Sequence, residues 1–418
     1  MLIKFTKSIF ILLWLFCNLS ITAQNNFSAI DERAVNTPKY LEKDIKKLTQ
    51  YLIKTSKSDL EKIRAIYKWI TNNIAYDVGS FLTGKIENQS AKSVLVSKKA
   101  VCEGYAALFN KMAEATSIKS EVIHGYSKGY GYTVGSDIFK QPNHAWNAVE
   151  IDNKWYLLDA TWGAGYLNER QKFVRRFQEH YFLTDPEKFI YDHLPVEPKW
   201  QLIEKPVEKT EYANYVYLRP GFFYSGLSIL SHSNAVIQAE QKVTISLKLE
   251  KDAMLMGQLI QNNLPIPQKL IFSQKESDDK YNIYVHLPQK GEYTLRLFSK
   301  LKEDKGQYEW ALDYRIIALS EMKEGVEFPM IYGTFYESDS YLFSPMTGSL
   351  KKGENIFFKL RTPEALKAFV IDDKNRYELT KTDDIFQGNV EINSENISIA
   401  VQFSGKKSYD FLLRYNSH

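Results

Sequence analysis

The chain has 418 residues, of which 44% are hydrophobic and 25% are charged, and its formal net charge is +4. This composition is typical of a globular protein and not of a disordered one, and the length predicts two or three domains. The small net charge, without a dense basic patch interleaved with aromatic residues, argues against a nucleic-acid partner.

The first 24 residues have the layout of a secretory signal peptide. Two lysines precede a short apolar core at residues 9–15, and Ala23 is a small residue at the expected cleavage point. We therefore expect removal of residues 1–23 and export to the periplasm, the cell surface or the extracellular space. A retained anchor or a lipid on Cys17 is the alternative. Cleavage would leave Cys102 as the one cysteine of the mature chain, in a compartment where thiols tend to oxidise.

Up to about residue 200 the pattern is mainly helical. A capping box of Ser58 and Glu61 predicts the start of one helix. Its apolar face is predicted from the three- and four-residue spacing of Leu60, Ile63, Ile66, Tyr67, Ile70 and Ile74. A second helix, rich in alanine, is predicted from Cys102 to Ala115. Strands are predicted at residues 121–126, 144–151 and 154–161.

A connector marked by three prolines separates this part from a series of short alternating segments. These segments lie at residues 243–249, 281–287, 293–298, 396–403 and 409–415. Strands of this length between turn residues are typical of β-sandwiches.

A faint internal repeat favours two such sandwiches. GFFY at residues 221–224 resembles GTFY at residues 333–336, and Lys248 aligns with Lys359. Tyr293 and Tyr409 are interpreted as the starts of two equivalent closing strands. An offset of about 110 residues is the size of one immunoglobulin-like sandwich.

The segment AVCEGYAA places Cys102 at the first turn of the alanine-rich helix. Unpaired N–H groups at a helix start carry partial positive charge, which favours a thiolate over a thiol. Gly104 and the alanines after it would allow another element to approach this helix closely. A buried structural cysteine is the alternative interpretation of the lone thiol.

A thiol nucleophile also needs a base and a group that orients the base. The stretch from residue 143 to residue 162 is interpreted as two strands joined by a two-residue turn at Asp152 and Asn153. This register puts His144 and Asp159 on one face of the hairpin, one diagonal apart, whereas a three-residue turn would put them on opposite faces.

These segments resemble the three motifs of the transglutaminase-like superfamily, in that family's order and spacing. The motifs are VCEGYA at Cys102, NHAWNAV at His144 and WYLLDATWG at Asp159. YKWITNNIAYD, from residue 67, resembles the family's lead-in helix. HYFLTDPEKFIYDHLPVEPKWQLI, from residue 180, is similar to the kyphoscoliosis peptidase branch. The resemblance is close over about residues 40–205 and extends to the remainder only in architecture.

The resemblance implies an α+β fold. Helices packed on an antiparallel sheet would form a papain-like transglutaminase core, followed by two immunoglobulin-like β-sandwiches. After the signal peptide at residues 1–23, we expect the transglutaminase-like catalytic domain at residues 24–204. The two sandwich domains are expected at residues 205–319 and 320–418.

The resemblance also implies a Cys-His-Asp triad. Cys102 would attack a carbonyl, His144 would carry the proton, and Asp159 would fix the imidazole. The backbone N–H of Cys102 is a natural oxyanion donor. Gln89 and Trp69 are the candidates for the second donor.

Several other residues are interpreted with this site in mind. Trp146, Tyr130 and Tyr132 are candidates for the substrate cleft. His124 is expected in the core. His180 is expected to pack or cap beside Tyr181, and His193 is interpreted as a residue that precedes a loop proline. The scattered histidines form no cluster with the spacing of metal ligands, so we expect neither a metal nor a cofactor.

The function implied is a secreted cysteine enzyme, a peptidase or amidase that acts on protein or peptide amide bonds. Transamidation, which cross-links proteins, passes through the same acyl-enzyme and is one alternative. A catalytically inactive cell-surface binding scaffold is another. The expected partners are a protein or peptide substrate and a cell-surface or extracellular partner bound through the β-sandwiches.

Overall fold

A computed structural model describes residues 26–322 and 327–418 of the chain. The predicted signal peptide and Cys17 lie outside the described residues. The described part forms a core of helices and sheet followed by two β-sandwiches, so the predicted fold class is confirmed. Each of the three parts has its own hydrophobic cluster, which explains why the chain folds as successive units.

The helical side of the core surrounds one long helix, α3. The helices of the core and the connector are α1 (Ser28–Val35), α2 (Ile45–Ile53), α3 (Asp59–Asn73), α4 (Val78–Thr83), α5 (Ala91–Ser97), α6 (Cys102–Glu114), α7 (Ala160–Ala164), α8 (Pro186–Phe189) and α9 (Lys209–Asn214). Short 3₁₀ turns lie at Lys39–Lys43, Glu179–Tyr181 and Pro198–Gln201. Ser58 caps α3 by accepting the N–H of Glu61, as predicted.

The sheet of the core is antiparallel, with strand order β5-β4-β3-β8. The strands of the core are β1 (Ala75–Tyr76), β2 (Lys99–Ala100), β3 (Ser120–Ser127), β4 (His144–Ile151), β5 (Lys154–Leu158), β6 (Gly165–Leu167), β7 (Phe173–Arg175) and β8 (His193–Pro195). Helix α6 packs on β4 and β3, so the helix that starts at Cys102 lies against the strand that starts at His144.

The predicted β4–β5 hairpin is confirmed, and its register pairs Ile151 with Lys154. Asp152 and Asn153 have φ angles of 52° and 61°, as a two-residue type I′ turn requires. Strand β5 ends at Leu158, three residues before the predicted end. The physical reason is that Asp159 leaves the sheet to cap α7 with its side chain.

The first sandwich packs a sheet of order β10-β12-β16-β15 on a sheet of order β11-β18-β17-β13-β14, and β9 pairs with β18. The elements are α10 (Pro220–Tyr224), β9 (Tyr217–Leu218), β10 (Leu227–Ile229), β11 (Val236–Ala239), β12 (Lys242–Leu249), β13 (Ala253–Gln261), β14 (Leu264–Pro265), β15 (Ile271–Ser277), β16 (Lys280–His286), β17 (Gly291–Leu301) and β18 (Glu309–Ala318), with a 3₁₀ turn at Gln268–Leu270.

The second sandwich has sheets of order β20-β22-β26-β25 and β19-β28-β27-β23-β24, and β21 pairs with β28. The elements are α11 (Gly333–Glu337), β19 (Met330–Ile331), β20 (Tyr341–Ser344), β21 (Ser349–Leu350), β22 (Asn355–Arg361), β23 (Ala365–Asp372), β24 (Asn375–Glu378), β25 (Thr380–Thr382), β26 (Ile385–Glu391), β27 (Asn396–Phe403) and β28 (Asp410–Ser417).

The two sandwiches repeat the same topology, strand for strand. The short helices α10 and α11 occupy equivalent places, which fits the predicted alignment of GFFY with GTFY. Lys248 and Lys359 lie in the equivalent strands β12 and β22. The alignment of Tyr293 with Tyr409 is wrong by one strand, because Tyr293 lies in β17, whose equivalent is β27, whereas Tyr409 directly precedes β28.

Candidate active site

Cys102 is the first residue of α6, and its thiol is free and half-buried. The residue before it, Val101, is the N-cap, and its N–H donates to Oε1 of Gln89 at 3.1 Å. The backbone that leads into the cysteine is therefore fixed by a side chain from the preceding loop. The N–H groups of the first turn of α6 have no partner within the helix, and they lie at the same end of the helix as the thiol.

Gly104 allows the close approach that the sequence predicts. A Cβ atom at this position would lie 2.4 Å from Oε1 of Gln89 and 2.8 Å from the side chains of Ala100 and Val94. Any larger residue would push α5 and the Gln89 loop away from α6. The glycine therefore holds the start of α6 in place.

Strand β4 supplies His144 at its first position, and two asparagines fix that strand. Asn143 accepts the N–H of Ser127 on β3 at 2.7 Å. Buried Asn147 donates from Nδ2 to the carbonyl of Ala106, in α6, at 3.1 Å. The second bond joins the strand of the imidazole directly to the helix of the thiol, so the two elements cannot separate without breaking it.

Asp159 is fully buried, and both oxygens of its carboxylate face hydrogen-bond donors. Its Oδ1 accepts the N–H groups of Thr161 and Trp162, at 2.7 and 3.1 Å, and so caps α7. Its Oδ2 lies 2.7 Å from Nε2 of His144 and 3.2 Å from Nε2 of His193. Because Asp159 holds Nε2 of His144, the other ring nitrogen is left for the thiol, and Cys102 lies near enough to His144 to influence its pKa.

The charges of this pair follow from its burial and its contacts. Burial opposes a charge on His144, but Asp159 and Cys102 outweigh it and raise the pKa of His144 to about 10. Burial also opposes a charge on Asp159, yet His144 and His193 hold the pKa of its carboxyl well below the usual range. An imidazolium and a carboxylate therefore coexist at neutral pH.

His193 is a member of this cluster that the sequence reasoning missed. It is completely buried in β8, with Nδ1 2.6 Å from Oδ1 of Asp192. The hydroxyl of Tyr181 donates to the same Asp192 at 3.0 Å. The local sequence is YDHLP, in which the acidic Asp192 precedes His193 and the apolar Leu194 follows it. The pairing of β8 with β3 brings it to Asp159, and no local pattern predicts that pairing.

Three side chains of the site could also hold a metal ion. The ligand atoms of His144, Asp159 and His193 all lie within 4.8 Å of one another. Their nitrogen and oxygen atoms are hydrogen-bonded to each other, which is also the arrangement of an imidazole poised for proton transfer.

The two candidates for the second oxyanion donor are not brought to the thiol by these contacts. Gln89 uses its Nε2 to donate to the carbonyl of Glu87, because its oxygen end holds Val101. Trp69 is completely buried in α3, under the ammonium of Lys98, and its indole N–H has no partner among the described residues.

Tyr76 is a donor that the sequence analysis overlooked. It lies in β1 and lines the cleft that also contains His144. Burial, with the charges of Cys102 and Asp159, raises its pKa, so the phenol keeps its proton. A phenol that stays protonated beside the thiol can donate a hydrogen bond at any physiological pH.

A cleft of about 2080 Å³ opens at His144 and runs between the core and the first sandwich. Tyr130 and Tyr132 both line it. Trp146, the third cleft candidate, does not: it is buried beneath the site, with its ring 5.9 Å from His144 and 5.0 Å from His193. Trp146 lies on the same face of β4 as His144, but its indole is covered by contacts with Phe189 and His193, which corrects the expectation for this residue.

One of the remaining histidines, His124, does not lie where the sequence predicts. His124 is exposed and pairs with Glu103 at 2.9 Å, so the expectation of a core histidine is wrong. The next residue, Gly125, faces Trp146 and Leu194 on the packed side of β3. Because side chains alternate along a strand, His124 points to the opposite side. His180 packs as expected, stacked 5.0 Å from Phe223 of the first sandwich.

A helix that begins at a cysteine, packed on a sheet that carries an imidazole–carboxylate pair, defines the papain-like class of fold. Residues 46–160, which contain Cys102, His144 and Asp159, match the model of the transglutaminase-like superfamily. Residues 209–329 match the KY-like, immunoglobulin-like domain. The chain therefore carries a transglutaminase-like domain followed by a KY-like, immunoglobulin-like domain, and the predicted resemblance is confirmed.

Curated relatives agree with this assignment. Kyphoscoliosis peptidase of Mus musculus is 31% identical over 61% of this chain and 38% of that protein. Kyphoscoliosis peptidase of Homo sapiens is 30% identical over 68% of this chain and 42% of that protein. The chain thus spans about two-fifths of the length of these relatives.

The comparisons correct the expected localisation. Cytokinesis protein 3 of Schizosaccharomyces pombe is 26% identical over 51% of this chain and 24% of that protein. Cytokinesis takes place inside the cell, and a relative of this kind contradicts the expectation of an exported protein, which is wrong. In residues 26–322 and 327–418 no helix has both the length and the apolar character needed to cross a bilayer.

Proposed function

We propose that this protein is a cysteine enzyme that forms an acyl-enzyme on Cys102 and hydrolyses protein or peptide amide bonds. One observation carries the proposal: Nε2 of His144 lies 2.7 Å from the buried carboxylate of Asp159, and Cys102, at the start of α6, is near enough to raise the pKa of the same imidazole. That arrangement of nucleophile, base and orienting group is what acyl transfer needs.

The reaction follows from these positions. The Cys102 sulfur attacks the amide carbon, and the oxyanion that forms accepts hydrogen bonds from the N–H of Cys102 and from Tyr76. His144, as imidazolium, gives its proton to the leaving nitrogen, and the C–N bond breaks to leave a thioester. Water then attacks the thioester while His144 accepts its proton, and the thiol is released. Asp159 keeps the imidazole in one tautomer and orientation throughout.

Transamidation is the alternative outcome of the same acyl-enzyme. A primary amine would then attack the thioester in place of water, and the triad would serve both reactions unchanged. Incubation with a peptide substrate and a labelled primary amine distinguishes them, because only transamidation incorporates the label. The immunoglobulin-like domains are protein-interaction modules in general, and we propose that they present a protein substrate to the cleft.

The experiment that tests the proposal is alkylation of Cys102 by iodoacetamide at mildly acidic pH. A thiol with an ordinary pKa of about 8.5 is almost wholly protonated there and reacts slowly. Cys102, which lies beside the imidazolium of His144, should react faster, as followed by mass spectrometry of the peptide that contains Cys102. Cys102→Ser should abolish turnover.

His144→Ala should slow both alkylation and turnover, because it removes the proton carrier and the charge that stabilises the thiolate. His124→Ala is the matched control, since it removes an exposed imidazole near the same helix end. If folded protein labels no faster than a model thiol, and His144→Ala changes nothing, an inactive binding scaffold replaces the enzyme.

A further inference from the structure

Arg219 is a guanidinium on the cleft wall that has no acidic partner among the described residues. It lies at the start of the first sandwich, between β9 and α10, and lines the same cleft as His144. Its one hydrogen bond from the guanidinium goes to the hydroxyl of Tyr217, at 3.0 Å. A guanidinium has five N–H donors, so most of them are available to a ligand.

The other arginines of the cleft are already neutralised. Arg296 forms two hydrogen bonds with Asp313, at 2.9 and 2.8 Å, and Arg176 pairs with Glu309. Asp313 also accepts the indole N–H of Trp310 at 2.8 Å, so its oxygens are committed. Arg219 is therefore the arginine of this cleft that forms no ion pair among the described residues, although the charges of Asp192 and Asp313 act on it from a distance.

Aromatic rings fix where Arg219 lies and how it can be approached. Its Cζ is 5.1 Å from the ring of Trp310, 5.3 Å from Tyr217 and 5.8 Å from Trp162. The ring of Trp162 is in turn 5.1 Å from that of His144. The indole of Trp162 thus lies between the guanidinium of Arg219 and the imidazole of His144. An extended peptide covers about 3.3–3.6 Å per residue, so this site lies within about three residues of the reacting carbonyl.

We infer that Arg219 is the anion subsite of the cleft and that it selects peptide substrates with a carboxylate close to the reacting carbonyl. This inference rests on the proposed function and adds the substrate class to it. The planar fork of an arginine matches a carboxylate with two parallel hydrogen bonds. A phosphate group is normally bound by a cluster of arginines, and the neighbouring arginines here are paired. The carboxylate is either an acidic side chain or the free C-terminus of the peptide.

The test uses pairs of iodoacetylated reagents that alkylate Cys102 and differ only in charge. Iodoacetyl-Glu-amide and iodoacetyl-Gln-amide probe a side-chain carboxylate. Iodoacetyl-Gly-Gly and its C-terminal amide probe a terminal carboxylate. Iodoacetyl-Gly and its amide form a shorter pair, which varies the distance between the reactive carbon and the carboxylate. The readout is the ratio of the alkylation rates of acid and amide, measured on the full chain by mass spectrometry of the Cys102 peptide.

We expect one acid to react about 10- to 100-fold faster than its amide, as two charge-assisted hydrogen bonds would give. Arg219→Gln should bring that ratio to the value of a free thiol, and Arg219→Lys should keep part of it. Lys305→Gln, which removes an exposed cation from the same cleft, should leave the ratio high. Thermal unfolding of each variant checks that it is folded.

Equal acid-to-amide ratios in the wild type and in folded Arg219→Gln, for every pair, would overturn the inference. The ratio does not depend on how reactive Cys102 is in absolute terms. Slow alkylation by iodoacetamide would therefore contradict the proposed function, while the acid-to-amide ratio would still decide for or against the anion subsite.

Discussion

Nε2 of His193 lies 3.2 Å from Oδ2 of Asp159, the same oxygen that holds His144. Both ring nitrogens of His193 face carboxylates, since Nδ1 lies 2.6 Å from Asp192. The contact with His193 helps to hold the pKa of the Asp159 carboxyl below its usual range. His193 therefore takes up part of the negative charge of Asp159 that would otherwise act on His144.

Replacement of His193 by Gln tests this role as a positioning residue. With less of its charge compensated, Asp159 should hold the proton of His144 more tightly. We expect the alkaline limb of the pH profile of kcat/KM to move to higher pH. The rate should fall on the order of tenfold, less than the 10²–10⁴-fold expected for loss of the base itself. A lower rate without a shift of the limb would show that His193 has only a packing role.

The two oxygens of Asp159 predict different effects for two substitutions. Asp159→Asn keeps an oxygen that can cap α7 but loses the charge that pairs with His144, so the free energy of unfolding should fall by the loss of that pair alone. It disturbs the tautomer of His144, and turnover should fall by about 10⁴-fold, as in other triads. Asp159→Ala also removes the cap and should cost a further 0.5–2 kcal/mol or so of stability. Urea denaturation and steady-state kinetics separate the two effects, and equal stability losses in both variants would contradict the capping role.

Stability at acidic pH should depend on His180. Burial, the largest effect on this residue, lowers its pKa to about 4. In the unfolded chain the pKa is about 6.5, so between these values the unfolded state binds more protons than the folded state. Stability should therefore fall as the pH falls from about 6.5 to about 4. His144 has a raised pKa of about 10, so its own contribution is already fully present below about 6.5 and adds no slope in this window.

His180→Phe keeps a ring for the stack on Phe223 and removes the proton site. The melting temperature of this variant should vary less between pH 6.5 and pH 4 than that of the wild type. His124→Gln, a change at an exposed histidine, is the control and should retain the wild-type slope. An unchanged slope in His180→Phe would contradict the explanation.

Local rules predict part of this site, and topology decides the rest. The pairing of His144 with Asp159 follows from strand alternation and a two-residue turn, both of which can be read from the sequence. The approach of Cys102 to His144 joins a helix start to a strand that begins 42 residues later in the sequence. Local patterns do not predict such a contact, and the resemblance to a family supplied it.

His193 and Arg219 were missed for the same physical reason. Each reaches the site through a long-range pairing: β8 lies beside β3, and β9 lies beside β18 of the first sandwich. Hydrophobic periodicity identifies such strands but not their neighbours. For Trp146, alternation along β4 does not decide the matter, because Trp146 shares a face with His144 and every residue from His144 to Val149 is buried.

The contact between α7 and α3 predicts the effect of one added methyl group. A Cβ at Gly163, in α7, would lie 1.9 Å from the hydroxyl oxygen of Tyr67 and 3.3 Å from Thr71, both in α3. Gly163→Ala should therefore push α7 outward and lower the free energy of unfolding by about 1–3 kcal/mol. Because Asp159 caps α7, the carboxylate should move with it, and alkylation of Cys102 should slow.

Two further variants make this prediction specific. Gly306→Ala is the control, because no atom lies within 4 Å of a Cβ at that position, and its stability should stay close to that of the wild type. In the double variant Gly163→Ala with Tyr67→Phe, the clashing oxygen is gone, although the ring carbon that bore it would still lie 2.6 Å from the new methyl. Urea denaturation should therefore recover only part of the lost stability. A Gly163→Ala variant as stable as Gly306→Ala would mean that α7 and α3 are not packed as closely as the structure places them.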